Sequence, residues 1–566
     1  MTETTVAGQQ MAPWWKTATG YQIYPRSFCD SNGDGIGDIP GIISRLDHLR
    51  DLGIGFIWLS PVYASPMADN GYDISDYRDI APEFGTLEDF DRLVAEAKAR
   101  DIRIVMDLVV NHSSSAHDWF RAACASRGAP EHDFYIWRDA APDGGPPSDH
   151  QACFGGSAWT WVPEVERYYL GHFSPEQPDL NWQNPELRRE IYDMMNWWFD
   201  RGIGGFRMDV ISVIGKDVDA GVYEEGPYLH GFLQEMHRET LAGRDVVTVG
   251  ESWSVSPETA LSYCGRDRHE LDMVFQFNHV TAFEDEVAGK WKPKPFDLRR
   301  FKAIFATWQG VMAEDGWNSL FLSNHDLPRQ VSKYGDDGTF RVASAKMLAT
   351  VIHLMKGTPF VYQGEEIGMT NVRFERIDQF RDVETLRQYT GKVAAGMAPE
   401  TFIAGANENG RDNARTPMQW TAGAQAGFTD GTPWIEVNPN HRTINVAADR
   451  ADPDGIFAFY RNLIALRRER PVVVAGRYLS FAQDNPAVFA FARDLDGERV
   501  AVIANFTGTP AEFDVPDGLA GAGTCLVANH APRSELSGRI TLAPFEAVAV
   551  LLAARGERDT QTEGAT

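Results

Sequence analysis

The 566-residue sequence is poor in cysteine, with no two cysteines at redox or metal-finger spacing. Cys29, Cys124, Cys153, Cys264 and Cys525 are odd in number and far apart, which argues against a disulfide framework and reads as reduced thiols in a cytoplasmic protein. No apolar run approaches the roughly 20 residues needed to cross a bilayer, so no membrane partner is expected. The opening MTETTVAGQQMAPWWK lacks the basic and apolar regions of a secretory leader. Positive charge is also scarce. Against 80 Asp+Glu stand 53 Lys+Arg, only 11 of them lysine, for a net charge of −27. No basic patch is large enough to hold a polyphosphate backbone, so nucleic acid is excluded as a partner.

What is present is a long chain, 43% hydrophobic and 11% aromatic, enough for a large core with smaller domains attached. From residue 20, short apolar runs alternate with amphipathic stretches. The runs YQIYPRSF (21–28), FIWLSP (56–61), RIVMDLVV (103–110), GFRMDV (205–210), VVTVGES (246–252), DMVFQF (272–277), SLFLSNHD (319–326) and PFVYQGEE (359–366) suit strands buried on both faces. Helical patterns cover 86–99, 187–200 and 339–355, the first with Thr86 as N-cap and Asp89 as its capping-box partner. Eight strand–helix units predict an α/β fold, a (β/α)8 barrel, over an open doubly wound sheet, for which the Gly-rich dinucleotide loop is missing. The barrel is expected over 14–113 and 177–475. It is interrupted by an insertion at 114–176, too long for a plain connection, and by a second at about 371–435. Short alternating strands over 476–555 read as an antiparallel β domain, and 556–566 as a tail.

Polar residues gather where a barrel builds its active site, at the carboxyl ends of the strands. Asp107, Asn111 and His112 follow the third strand, Arg207 and Asp209 end the fourth, Glu251 ends the fifth, and His325 and Asp326 end the seventh. An ion pair at the rim would explain any one of these, but carboxylates at three strand ends are hard to explain as packing. With no Ser or Cys nucleophile near a base, the set suits glycosidic bond cleavage, which needs one carboxylate to attack and one carboxylic acid to protonate the leaving oxygen. Arg207 is expected to keep Asp209 ionised.

These residues carry a resemblance. DLVVNH (107–112), GFRMDVI (205–211), VGES (249–252) and SNHD (323–326) resemble the four short signatures of the alpha-amylase superfamily of retaining glycoside hydrolases. QPDLN (177–181), YQIYPRSF, GTPFVYQGEEIGM (357–369) and RDNARTPMQW (411–420) resemble its oligo-1,6-glucosidase and dextran glucosidase branch. The resemblance runs from about residue 14 to 550 and implies the barrel, an inserted B domain and a C-terminal β domain. It implies Asp209 as nucleophile, Glu251 as general acid/base and Asp326 as transition-state stabiliser. Asp69, Tyr72, His112, Arg207 and His325 would contact the glucosyl unit, with Arg411 rather than Arg415 as the arginine of the RDN segment. The substrate is then a small oligosaccharide and the enzyme a monomer or small homo-oligomer. Val210 resembles the α-1,6-active members, where α-1,4-preferring ones carry Ala or Thr, although packing alone explains a Val there equally well. Trp253 resembles the tryptophan of dextran glucosidases and is a candidate platform for the leaving sugar, or a core residue.

A second motif, DSNGDGIGD, sets Asp30, Asn32, Asp34 and Asp38 at even positions, with the Ile36 carbonyl between them. Oxygen donors at every second residue around glycines follow the logic of a Ca²⁺ loop, with Mg²⁺ as the alternative ion and an unmetalled Asx-turn loop as the plain reading. Competing activities remain. A sucrose isomerase would carry RLDRD, which is absent. A trehalose-6-phosphate hydrolase would use cations such as Lys290, Lys292 and Lys294, which otherwise read as a solvated loop. An α-1,4-glucosidase with transfer activity is the runner-up. A non-catalytic transporter partner would have lost the three carboxylates.

Overall fold

A computed structural model describes residues 13–553; the tail expected at 556–566 lies outside the described residues. Eight short parallel strands form the centre: β1 (Gly20–Ile23), β2 (Phe56–Leu59), β3 (Arg103–Leu108), β4 (Gly205–Met208), β5 (Val247–Glu251), β6 (Met273–Phe275), β7 (Ser319–Leu320) and β8 (Thr358–Tyr362). Each falls on one of the eight apolar runs, the first and last starting one residue earlier, and ends short of the run's carboxyl end, where polar residues turn into loops. Neighbours follow the order β6-β5-β4-β3-β2-β1-β8-β7, so β1 pairs with β8 and the sheet curls round. At the remaining seam Ser319 Oγ on β7 donates to the Val274 carbonyl on β6 at 2.8 Å. This ring is the (β/α)8 barrel, and it rules out the open doubly wound sheet.

The helices form for local reasons that the sequence already carries. Helix α1 (Leu87–Lys98) starts at a reciprocal capping box: the Asp89 N–H donates to Thr86 Oγ1 at 3.2 Å, and the Thr86 N–H to Asp89 Oδ2 at 3.1 Å. Its Phe90, Leu93 and Ala97 face the barrel. Helix α2 (Pro185–Asp200) begins with Pro at its first position behind an Asn184 cap and buries Leu187, Ile191, Met195 and Trp198. Helix α3 (Leu298–Val311) precedes β7, and α4 (Arg341–His353) precedes β8. In α4 every residue from Ser344 to His353 is buried, which is why it lacks an amphipathic stripe.

Between β3 and α2, a three-stranded antiparallel sheet (Trp137–Arg138, Trp159–Val162, Arg167–Leu170) stands over the carboxyl ends of the strands. After β8, helices α5 (Val383–Ala394) and α6 (Pro399–Asn409) lead into a short turn of helix, Asp412–Arg415. From residue 477 a six-stranded antiparallel sheet and a separate two-stranded ribbon complete the described chain. Two buried cations fasten this sheet to the barrel. Arg493 donates to the carbonyls of Leu354, Val473 and Gly476 at 2.8, 2.7 and 3.0 Å, and Lys302 of α3 donates to those of Ala482, Asn485 and Val488 at 2.7, 2.7 and 3.0 Å. Backbone dipoles, rather than carboxylates, satisfy both charges.

Candidate active site

Strand register assembles the site. Asp107 on β3 is the direct partner of Arg207 on β4, and Val249 on β5 faces Arg207 from the other side. Asp209 follows Arg207 by two residues and therefore turns to the same face. Close pairing is needed here: a Cβ on Gly205 would lie 1.9 Å from the Val247 carbonyl oxygen. The Arg207 guanidinium, 1% exposed, is then shared among three carboxylates. Nη1 donates to Asp107 Oδ1 and Asp209 Oδ1, each at 2.8 Å, and Nη2 donates to Glu251 Oε2. Asp209 and Glu251 are thus held on the two terminal nitrogens of one guanidinium.

One cation cannot neutralise three carboxylates. Burial pushes the Asp209 carboxyl well above the usual range, Arg207 opposes this, and Glu251 and Asp107 reinforce it. Arg207 acts on Asp209 in the expected direction, favouring its charged form, but its guanidinium is divided among three carboxylates. Burial likewise lifts Asp107 to about 6 against Arg207, Trp58 and Tyr72. Groups this close titrate as a set, and a proton retained within it is what acid-assisted cleavage requires.

Just past Asp209 the chain adopts a left-handed conformation at Val210, φ +34°. A β-branched residue rarely does so, and the strain costs about 1–3 kcal/mol. The twist aims the Val210 N–H at Glu251 Oε2, 3.1 Å away. Trp253 donates from Nε1 to Glu251 Oε1 at 3.0 Å, and its ring stacks on Phe277 with centroids 3.8 Å apart and an interplanar angle of 9°.

Opposite stands Asp326, which accepts from Arg415 Nη2 at 2.8 Å and Arg411 Nη1 at 3.2 Å. Burial would raise its carboxyl, but His325, Arg411, Arg415 and Arg207 outweigh burial and hold it well below the usual range. His325 is itself pushed down to about 3 by burial and is neutral near pH 7, so the arginines carry the effect there. Both arginines of the RDNAR segment thus reach the site, Arg415 as well as the expected Arg411. Arg411 also extends to Asp69 Oδ1 at 3.3 Å, and burial lifts Asp69 to about 7 against the two arginines. Tyr72 stacks on His325 at 5.2 Å and donates to Asp107 Oδ2 at 3.0 Å, and His112 Nε2 meets the Tyr72 carbonyl at 3.0 Å. All nine proposed catalytic and sugar-binding residues come together, most of them lining a cavity of about 630 Å³. The Asp69–Arg411 pair lies in its lining, with Gln177 Nε2 donating to Asp69 Oδ2 at 3.2 Å.

The Asp30 loop stands apart. Asp30 Oδ1 accepts from the N–H groups of Asn32 and Gly33, Asn32 Oδ1 from that of Asp34, and Asp34 Oδ1 from that of Ile36. Asp38 caps the following helix by accepting from the Gly41 N–H at 2.6 Å. The donors are all hard oxygens, the chemistry of Ca²⁺ or Mg²⁺, although among the described residues no three acidic, His or Cys side chains gather as a metal group.

This geometry is matched by the comparisons. The Alpha amylase, catalytic domain family covers residues 22–476, and the Maltogenic Amylase, C-terminal domain family covers 480–548. The chain belongs to the alpha-amylase family. It is 54% identical to the palatinase of Erwinia rhapontici, over 95% of this chain and 99% of that one. It is 50% identical to an oligo-1,6-glucosidase of Halalkalibacterium halodurans, over 94% and 98%. The crystal structure of Bacillus licheniformis trehalose-6-phosphate hydrolase superimposes with a TM-score of 0.91 at 44% identity, covering 96% of this chain and 100% of that one.

Several residues of this alpha-amylase-family site were not singled out from the sequence. Asp382, buried, accepts from Arg411 Nε at 2.8 Å and Arg415 Nη1 at 3.4 Å, and so positions both arginines. It precedes α5 in an insertion with no strand-end pattern to flag it. Gln22 on β1 contacts His325 Nδ1 at 2.8 Å, and Trp58 donates to Asp107 Oδ2 at 3.0 Å. An amide inside an apolar strand was the available signal for Gln22. Glu365, buried in the turn after β8, accepts from Ser323 Oγ at 2.5 Å, and burial lifts it to about 8.

Glu365 makes the stability pH-dependent. A carboxyl raised in the folded state keeps a proton that the unfolded chain gives up near pH 4.3. Its contribution is therefore complete below about pH 4 and lost as pH rises through about 8. Glu365→Gln is neutral throughout, so its stability relative to wild type should rise by roughly 3–5 kcal/mol between pH 5 and pH 9 in urea titrations. Parallel pH dependence of the two proteins would contradict this.

Proposed function

We propose that this chain is an exo-acting retaining α-glucosidase that releases α-glucose from the non-reducing end of short, α-1,6-linked glucosides. The observation that carries the reading is the seating of Asp209 and Glu251 on the two amino groups of one buried guanidinium, with both carboxyls lining the cavity. Retaining enzymes hold their two carboxyls about 5–5.5 Å apart and inverting ones about 6.5–9.5 Å, and a pair bound to the two nitrogens of one guanidinium favours the first. In this reading Asp209 attacks the anomeric carbon as Glu251 gives its proton to the departing oxygen, forming a β-glucosyl ester. Glu251 then takes a proton from water, the water attacks the same carbon, and α-glucose leaves. Asp326 stabilises the positive charge that develops on the ring. Asp69, Tyr72, His112, Arg207, His325 and Arg411 bind the glucosyl unit, and exo action would follow from the Asp69–Arg411 pair lying behind its non-reducing end.

The α-1,6 preference is supported by Val210, whose fixed side chain narrows the space beside Asp209, and by the name of the Halalkalibacterium relative. A phosphorylated substrate is not favoured, since Lys290 is paired with Glu384 at 2.6 Å and Lys294 with Glu286 at 3.4 Å. Residues 114–176 and 476–555 are read as separate B and β domains, each with its own antiparallel sheet. No helix among the described residues is long and apolar enough to cross a membrane. Five free thiols support a cytoplasmic location, and a site built from one chain suits a monomer or small homo-oligomer. A product profile on isomaltose, panose, maltose, sucrose and trehalose, read by NMR, tests the function. Isomaltose should be cleaved fastest, with α-glucose appearing first, and Asp209→Asn should lose that turnover while staying folded. Early β-glucose, a preference for maltose, or turnover by the variant would contradict it.

The Asp30 loop is proposed as a structural Ca²⁺ site, with Mg²⁺ as the alternative. Asp30, Asn32, Asp34, the Ile36 carbonyl and Asp38 would hold the ion, pinning the chain after β1. Chelation should then lower the melting temperature by roughly a few degrees and added Ca²⁺ restore it. An unchanged melt together with a metal-free protein by elemental analysis would contradict the site.

A further inference from the structure

Glu251 is held by more donors than a plain general acid needs. Its Oε2 accepts from Arg207 Nη2 and the Val210 N–H, and its Oε1 from the Trp253 indole N–H at 3.0 Å. The three donors come from β4, from the strained turn that follows it and from the loop after β5. The first two are buried and fixed by the strand register. The third is different. Trp253 is 39% exposed, lines the cavity, and rests one face flat on Phe277. Phe277 is buried against Phe321, so the ring has a fixed plane on one side and open cavity on the other. A tryptophan needed only as a sugar platform would not have to point its N–H at the carboxylate.

Resting on the reading of Glu251 as acid/base, we propose that Trp253 is a positioning residue for Glu251. Its N–H fixes Oε1 in the plane set by Phe277 and biases the Asp209–Glu251 pair toward an ionised Glu251, so that it sets the alkaline limb of the pH–rate profile as well as the direction of proton delivery. Donation to a carboxylate favours its charged form. Around Glu251, Arg207 from β4 donates to it and also holds Asp107 of β3 and Asp209 just past β4, Tyr72 from the loop after β2 donates to Asp107, and Asp326 lines the same cavity. Of the three donors to Glu251, Trp253 is the one that can be removed without disturbing the register of β4. That leaves the buried charges in place and isolates the contribution of one neutral donor.

Trp253→Phe removes the N–H and keeps a flat ring; replacing the indole by benzothiophene at the same position removes it with almost no change of shape. The assay is kcat/KM for p-nitrophenyl α-glucoside from pH 4 to pH 10 for wild type, both variants and Glu251→Gln. Loss of the alkaline limb in Glu251→Gln assigns that limb to Glu251. The limb should then move to higher pH by about half a unit or more in both Trp253 variants, since the charged form has lost a donor. The acidic limb should stay in place. A platform role alone would change KM for longer substrates and leave the limb fixed, which would overturn the proposal. A wild type without α-glucosidase turnover, or an active Asp209→Asn, would instead overturn the reading of the site on which it rests. If the phenylalanine variant fails to fold, the benzothiophene variant decides alone.

Discussion

The site depends on one buried guanidinium placed by strand register. Arg207 faces Asp107 across the β3–β4 ladder, lies two residues before Asp209, and reaches Glu251 from β5. Removing such a cation from water is costly unless its donors and charge are matched. Here they are matched more than once over, which leaves surplus negative charge at the barrel's carboxyl end. That surplus keeps a proton among the carboxylates and gives the cluster chemical work to do. A barrel that merely closed its rim with ion pairs would need no such excess.

A second group of charges balances the first. Asp326 is held ionised by Arg411 and Arg415, which Asp382 orients from behind, so the cavity has one wall of shared protons and another of fixed charge. Two carboxylate environments pushed in opposite directions are the usual sign of divided acid, base and stabiliser roles. The structural cations of the same protein behave differently: Arg493 and Lys302 are neutralised by carbonyl dipoles and form no pair with a carboxylate.

Much of this was legible in the sequence, because barrel strands buried on both faces leave apolar runs of recognisable length, and polar residues at their ends have few structural excuses. All eight runs became strands, and the Thr86–Asp89 capping box formed as the spacing required. The charge state of Asp209 was not legible, since it depends on how many carboxylates share Arg207, and that is a matter of register. Asp382 was hidden for a related reason: it reaches the site from an insertion whose path no periodicity describes. The strained Val210 was visible as a residue type, yet its left-handed backbone and the N–H it offers to Glu251 were not. The −27 net charge explains little of the site, whose buried charges balance locally.

The central claim, that Arg207 sets Asp209 and Glu251 as a nucleophile and acid pair, is tested most directly by trapping. Incubation with 5-fluoro-α-glucosyl fluoride, followed by peptide mass spectrometry, should yield one glucosyl ester per chain, located on Asp209. An adduct on another carboxylate, or steady turnover with no covalent species, would contradict the account.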